Sequence, residues 1–212
     1  IEKLNINSAR IVPDSALTMS DFFTNEILVD KSSIPEKIYS KKFIFIQIGR
    51  FKRPNNLKKF AQNLKKLSLK LNLEVILCPI GKAARHEDDI VLKEICSFEK
   101  SFHYIEPKNI YDIMFLISIS KIYIGTSLHG MITAQSFNIP FVGLNRKIEK
   151  LEGYIKYWID ENYENIDFEE LNRILEDARL QKDQKTLSKV YYLLAEYEAN
   201  VFANYDKSLE YY

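Results

Sequence analysis

The sequence predicts an α/β fold: a doubly wound parallel sheet of about five strands in the order 3-2-1-4-5, followed by a C-terminal helical extension. Two observations carry this expectation. From Phe43 onward, short β-favouring runs alternate with stretches of helical apolar spacing, and the connections are short enough to require parallel strands with helices on both faces. The run over residues 43–48 is also continuously β-favouring, as befits a strand buried on both faces.

The elements follow in order. After the first strand comes Gly49-Arg50, and beyond Pro54 the residues Leu57, Phe60, Ala61, Leu64, Leu67 and Leu71 mark one face of a helix. A second strand over residues 73–77 stops at Cys78-Pro79. The next helix, about 87–98, buries Ile90, Val91 and Ile95 and carries Glu87, Asp88 and Asp89 in its first turn, where the helix dipole favours acids. A short third strand, about 102–105, is closed by Pro107 and leads to a helix near 109–119. The fourth strand, 122–124, ends at Gly125, and a helix then runs from the Thr126-Ser127-Leu128-His129-Gly130 turn to before Pro140. A fifth strand covers 141–144.

Residues 1–40 read as the end of a preceding unit and a linker, with a strand-like piece ending at Pro13, turn formers Asp14 and Ser15, and a polar stretch over 36–42. Residues 41–160 form the Rossmann-like domain, and 161–212 the helical extension. In that extension Leu171, Ile174, Leu175 and Ala178 follow a cap at Asp167, and a second helical run covers 187–209. The chain opens on Ile1 and not Met, and is read as a piece or processed product of a longer protein.

With 46% hydrophobic and 28% charged residues, the chain is globular, and a net charge of +1 gives no electrostatic case for nucleic acid as the main partner. Cys78 and Cys96 lie in apolar surroundings without metal-ligand spacing, which points to reduced core thiols in a cytoplasmic setting. No apolar run reaches the roughly 20 residues that cross a bilayer. No metal site and no cofactor are expected.

In a doubly wound sheet, ligands bind where the strand order reverses, outside the carboxyl ends of strands 1 and 4. Strand 1 ends in Gly49-Arg50-Phe51-Lys52-Arg53 and strand 4 in Thr126-Ser127-Leu128-His129-Gly130. Thr126 and Ser127 are helix-cap residues, and the first N–H groups of the following helix attract anions. With an arginine fork opposite and an imidazole alongside, the crevice suits a phosphate or carboxylate. A purely structural alternative has Ser127 only capping the helix and His129 as an exposed helical residue. Arg85-His86-Glu87-Asp88 and Asn145-Arg146-Lys147 are further candidates, each as readily a solvated loop. No GK[ST] or GxGxxG pattern follows a strand, which argues against nucleotide hydrolysis and dinucleotide binding, and His129 stands where a nucleophile elbow needs a small residue.

At these residues the sequence resembles the polysaccharide pyruvyl transferase family. The likeness is carried by IGTSLHGMITAQSFNIPFVGLN, where the family has a strand, an Arg-Leu-His triplet, a small-residue helix and a Pro-led strand; Arg50, PDSAL and CPIGKAARHEDD support it. It covers roughly residues 10–150. The resemblance implies the C-terminal half of a GT-B-like two-domain protein in which the 41–160 domain binds the donor. It also implies phosphoenolpyruvate as donor, a saccharide or lipid-linked saccharide as acceptor, and a pyruvyl ketal as product in cell-surface polysaccharide synthesis.

On that reading Arg50 and the helix amides after Ser127, with Thr126 and Leu128, hold the donor, and His129 is the general acid. One departure lies in the motif itself: the family's arginine before Leu128-His129 is Ser127 here. Lys52, Arg53 or Lys147 are the expected replacements, and Lys147 or Lys150 matches a lysine that the family places after the fifth strand. Two other functions fit the same architecture. One is a sugar-nucleotide glycosyltransferase, with Glu149 or Glu152 left to hold a ribose; the other is a non-catalytic saccharide-binding domain. The tyrosine-rich C-terminal helices read as a packing face.

Overall fold

The computed structural model describes residues 12–83, 86–144, 147–159, 165–171 and 173. Five strands, β1 (Phe43–Gln47), β2 (Glu74–Leu77), β3 (His103–Tyr104), β4 (Ile122–Gly125) and β5 (Phe141–Gly143), form one sheet in the order β3-β2-β1-β4-β5. Every pairing is parallel, with Ile46 opposite Leu77 and Ile124, and Gln47 opposite Gly125. The expected order is therefore the observed one. β1 is central, and its burial on both faces explains why all five of its residues are buried and apolar up to Gln47.

Side-chain alternation divides the core into two layers. Ile44, Ile46, Val75, Leu77, Ile122 and Ile124 face α4 (Leu57–Leu71) and α5 (Asp88–Phe98), with Phe60, Leu64, Val91 and Ile95 packed against them. Phe43, Phe45, Ile76, Tyr123 and Phe141 face α6 (Ile110–Ile119), α7 (Leu128–Ser136) and α8 (Glu149–Trp158). α6 and α7 carry apolar residues on nearly every side because they are buried between the sheet and other helices. α4, half-exposed, shows the helical stripe instead, and ends at Asn72 in the left-handed conformation that suits an asparagine C-cap.

The segment before the sheet differs from expectation. Asp14 caps a 3-10 turn, Ser15–Thr18, through its carboxylate, and three short helices follow: α1 (Met19–Phe22), α2 (Asn25–Lys31) and α3 (Glu36–Tyr39). The stretch expected as polar linker thus contains a helical turn, which begins after Pro35 and in which Ile38 and Tyr39 find apolar neighbours on the sheet layer. Leu28 is fully buried there. Asp112 of α6 fastens this segment, accepting from the Ser33 N–H at 2.6 Å, the Ser32 and Ser33 hydroxyls at 3.1 and 2.9 Å, and the Lys108 N–H at 2.7 Å.

Beyond β5, Leu144 pairs with Ile166, and residues 168–171 are helical, placing Phe168 edge-on to Phe60 at 5.5 Å. The strand-like piece before Pro13, the continuation through Ile174, Leu175 and Ala178, and the run over 187–209 lie outside the described residues.

Candidate functional site

The carboxyl ends of β1 and β4 meet directly. The Gly49 N–H donates to the Thr126 hydroxyl at 2.9 Å, and the Thr126 N–H donates to the Gln47 carbonyl and side-chain oxygens at 3.2 and 3.1 Å. Thr126 is therefore buried and committed to joining the two turns, and the helix cap falls to Ser127 alone, whose Oγ accepts from the Gly130 N–H at 3.3 Å. Leu128 packs on the sheet layer below, and His129 is exposed in the first turn of α7. The α7 amides open at the sheet's edge with no acid in the first turn to neutralise them.

Tyr123 supports this turn from beneath. Its buried hydroxyl donates to the Ser127 carbonyl at 3.3 Å, and burial pushes the phenol far above its ordinary range. A Cβ at Gly125 or Gly130 would come within 2.3 or 2.2 Å of that hydroxyl, so the two glycines flanking Thr-Ser-Leu-His are the space Tyr123 occupies.

Arg50 lies in a 3-10 turn, Arg50–Lys52, directly after β1. Its Nη1 pairs with Glu87 at 2.9 Å, and its backbone N–H donates to the His86 carbonyl at 3.1 Å. Glu87 sits in the left-handed region at φ 43°, uncommon for a residue with a Cβ, and its backbone N–H is held by the Ala83 carbonyl. The guanidinium thus keeps the rest of its fork beyond the single bond to Glu87, with its side chain 42% exposed.

The expected basic residues separate. Lys52 folds back over Gly49, its Cδ 3.9 Å from where a Cβ would stand. Loss of solvent and the neighbouring Lys150 push its ammonium below the ordinary lysine value, with Asp88 acting the other way. Arg53 turns to α5 and pairs with Glu94 at 3.1 Å in an exposed bridge. Lys147 is exposed in the turn before α8. Glu152 is engaged by Asn165 at 2.7 Å. Arg85, Asn145 and Arg146 lie outside the described residues. Burial raises the Cys96 thiol to about 11 and Cys78 further still, so neither is a thiolate nucleophile near neutral pH.

Gln47, which the sequence did not single out, and Asp88, the last residue of the Arg85-His86-Glu87-Asp88 candidate, occupy the site's floor. Gln47, 3% exposed, donates through Nε2 to Asp88 Oδ2 at 2.7 Å, and the same oxygen accepts the Ile80 and Gly81 N–H groups at 3.1 and 2.9 Å. Together they tie the ends of β1, β2 and β4 into one network. The only signal in the sequence is a glutamine ending an otherwise apolar strand, which must find partners once buried.

A five-stranded parallel sheet in this order, with helices on both faces, makes this a Rossmann-like domain. Solved structures share the fold, three of them as follows. They are S. aureus MnaA in a co-structure with UDP (18% identity over 76% of this chain and 43% of that one, TM-score 0.51), Methanocaldococcus jannaschii UDP-GlcNAc 2-epimerase in complex with UDP-GlcNAc and UDP (14%, 88% and 54%, 0.54), and a putative UDP-N-acetylglucosamine 2-epimerase from Listeria monocytogenes (14%, 82% and 47%, 0.52). The chain spans about half the length of these structures. No curated protein matches it. The sequence model of the family described as polysaccharide pyruvyl transferase matches residues 1–148, and the chain belongs to that family.

Proposed function

We propose that this chain binds phosphoenolpyruvate in the crevice between the β1 and β4 turns and serves the transfer of its pyruvyl group, as a ketal, to two hydroxyls of a saccharide in cell-surface polysaccharide synthesis. The observation that carries the reading, beside family membership, is the Gly49–Thr126 bond. It joins an arginine-bearing turn to a capped helix N-terminus with an exposed imidazole in its first turn.

In this mechanism the free fork of Arg50 and the amides of α7 hold the donor's carboxylate and phosphate. His129, as imidazolium, gives a proton to the enol methylene while a first sugar hydroxyl adds at C2 and yields its own proton to the imidazole. A second hydroxyl then closes the ketal as phosphate leaves, the imidazolium protonating the departing phosphate and taking up the second hydroxyl's proton. Ser127 brings no positive charge where the family has arginine. Of the three replacements, Lys52 is favoured by position, since Arg53 is engaged on α5. The acceptor is a free or lipid-linked saccharide, the setting is cytoplasmic, and contact with a membrane is peripheral; no helix among the described residues is long and apolar enough to cross one.

A second reading, a sugar-nucleotide glycosyltransferase, draws on the UDP present in two of the similar structures. A thermal-shift comparison with phosphoenolpyruvate, UDP, GDP and CMP separates the two. A ligand at about 100 times its dissociation constant adds roughly 2.7 kcal/mol, worth about 5–10 °C for a chain of this size. Pyruvyl transfer requires a shift of that order with phosphoenolpyruvate, lost in Arg50→Ala. A shift confined to a nucleotide selects the glycosyltransferase, and saccharide binding without either leaves a non-catalytic saccharide-binding domain.

A further inference from the structure

The network on the crevice floor is satisfied on one side only. Asp88 is 1% exposed, and its Oδ2 takes three donors, from Gln47, Ile80 and Gly81. Its Oδ1, also buried, has no hydrogen-bond partner among the described residues. A buried carboxylate oxygen without a donor is costly, and native structures retain such a group where a ligand or function supplies the partner.

The oxygen's surroundings say what that partner is. The three hydrogen bonds to Oδ2 fix the carboxyl group and leave Oδ1 beside the hydrogen face of Gly49. A Cβ there would lie 3.6 Å from Oδ1, 3.5 Å from the Thr126 hydroxyl and 3.9 Å from Lys52 Cδ, all ordinary contact distances. Oδ1 is therefore covered on this side only by the hydrogen face of Gly49, beside the Thr126 hydroxyl, and by the flexible stem of Lys52, so that a single small group reaches it over Gly49 once that stem moves. Phosphoenolpyruvate offers no donor at neutral pH and is repelled by a carboxylate. A sugar hydroxyl is a small neutral group that donates one hydrogen bond, which is what Oδ1 lacks, the Thr126 hydroxyl being already given to Gln47 Oε1 at 3.4 Å.

We propose that Asp88 is a saccharide-binding residue, its Oδ1 receiving a hydroxyl proton of the acceptor beside Gly49 once Lys52 swings toward the donor. The assignment rests on the pyruvyl-transfer reading and adds to it an orientation. The anionic donor lies on the Arg50 and α7 side, and the saccharide enters over the β1–β2 side.

Two variants of the full chain test it, read by titration with methyl β-galactoside, methyl β-glucoside and methyl α-mannoside and, separately, with phosphoenolpyruvate. Gly49→Ala places a methyl over the approach to Oδ1 without a clash, at a backbone φ of −70° that alanine accepts. Asp88→Asn keeps an oxygen for the Ile80 and Gly81 amides but presents a donor in place of Oδ1. A lost hydrogen bond to a charged group predicts a fall of roughly 10-fold or more in affinity for the bound glycoside in both variants. Removing the negative charge leaves phosphoenolpyruvate bound as tightly or more tightly in Asp88→Asn, whereas a structural role alone would weaken both ligands together. Glycoside affinity within threefold of wild type in Gly49→Ala overturns the assignment, as does failure of all three glycosides to bind at 100 mM. Glycoside binding that responds as predicted in a protein blind to phosphoenolpyruvate keeps the Asp88 site and removes the pyruvyl-transfer reading.

Discussion

Tyr123 is the residue on which the shape of the β4–α7 turn depends. Its ring stacks 5.6 Å from Phe45 in the buried layer, and its hydroxyl reaches up between Gly125 and Gly130 to the Ser127 carbonyl. A methyl group at Gly130 would press on that hydroxyl and on Ile80 Cδ1 at 2.7 Å, so Gly130→Ala is expected to cost about 2–3 kcal/mol by overpacking. Tyr123→Phe alone removes one hydrogen bond, worth about 1 kcal/mol. Because the hydroxyl is also the closest obstruction, the double variant should be less destabilised than the two single costs together, a coupling read by urea unfolding. Strictly additive losses would mean that the glycines answer to something other than Tyr123. Both glycines are plain in the sequence, yet their cause is not, since it is the side chain of Tyr123 on β4, which passes under the turn to reach both. The same holds for Asp88. In the sequence it is one of three acids suited to a helix N-terminus, and only folding brings it to Gln47. Arg50 and His129 were legible because strand ends at the sheet's reversal point can be read from strand order alone.

At the scale of elements, Asp112 joins the segment of short helices to the sheet domain. Burial pushes its carboxyl up, and the hydrogen bonds from the Ser33 and Lys108 amides and the Ser33 and Ser32 hydroxyls outweigh that effect, holding it below its ordinary value of 3.8. A carboxyl lowered on folding contributes stability that is fully present above its unfolded value and is lost as pH falls through the folded one. Asp112→Asn should therefore cost roughly 2–4 kcal/mol at pH 7, and the gap to wild type should close as pH drops below about 4. Chemical denaturation across pH 3 to 7 checks this, and a gap that stays constant removes the carboxylate from the account. The clasp also explains what pattern reading could not find. β1, β2 and β4 stand out as apolar runs, α4 by its helical stripe, and α6 as a longer apolar stretch. α1 and α3 span four residues each, less than two turns, and are fixed by partners up to 116 positions away, as in the Ser20 N–H to Ser136 hydroxyl bond.

For the whole molecule, the Gln47 network makes the crevice floor and the sheet one cooperative body. β1 is the central strand, and at its last residue a single amide side chain reaches left to the β2 turn through Asp88 and right to the β4 turn through Thr126. Gln47→Glu is nearly isosteric, but it replaces the donated Nε2–H with a second carboxylate oxygen at 2.7 Å from Asp88 Oδ2. With both residues almost wholly buried, two negative charges at that separation cannot be screened. The expected loss at pH 7 is about 3–5 kcal/mol, the range for an uncompensated buried charge. A proton shared by the two carboxyls would restore the hydrogen bond, so the loss should shrink as the pH is lowered. Because three strands end on the network, the lost protection should appear in hydrogen exchange of β1, β2 and β4 amides together, not at one turn. Loosening confined to the β4 turn would mean that the strand ends are held separately, and that the crevice floor is two contacts and not one network.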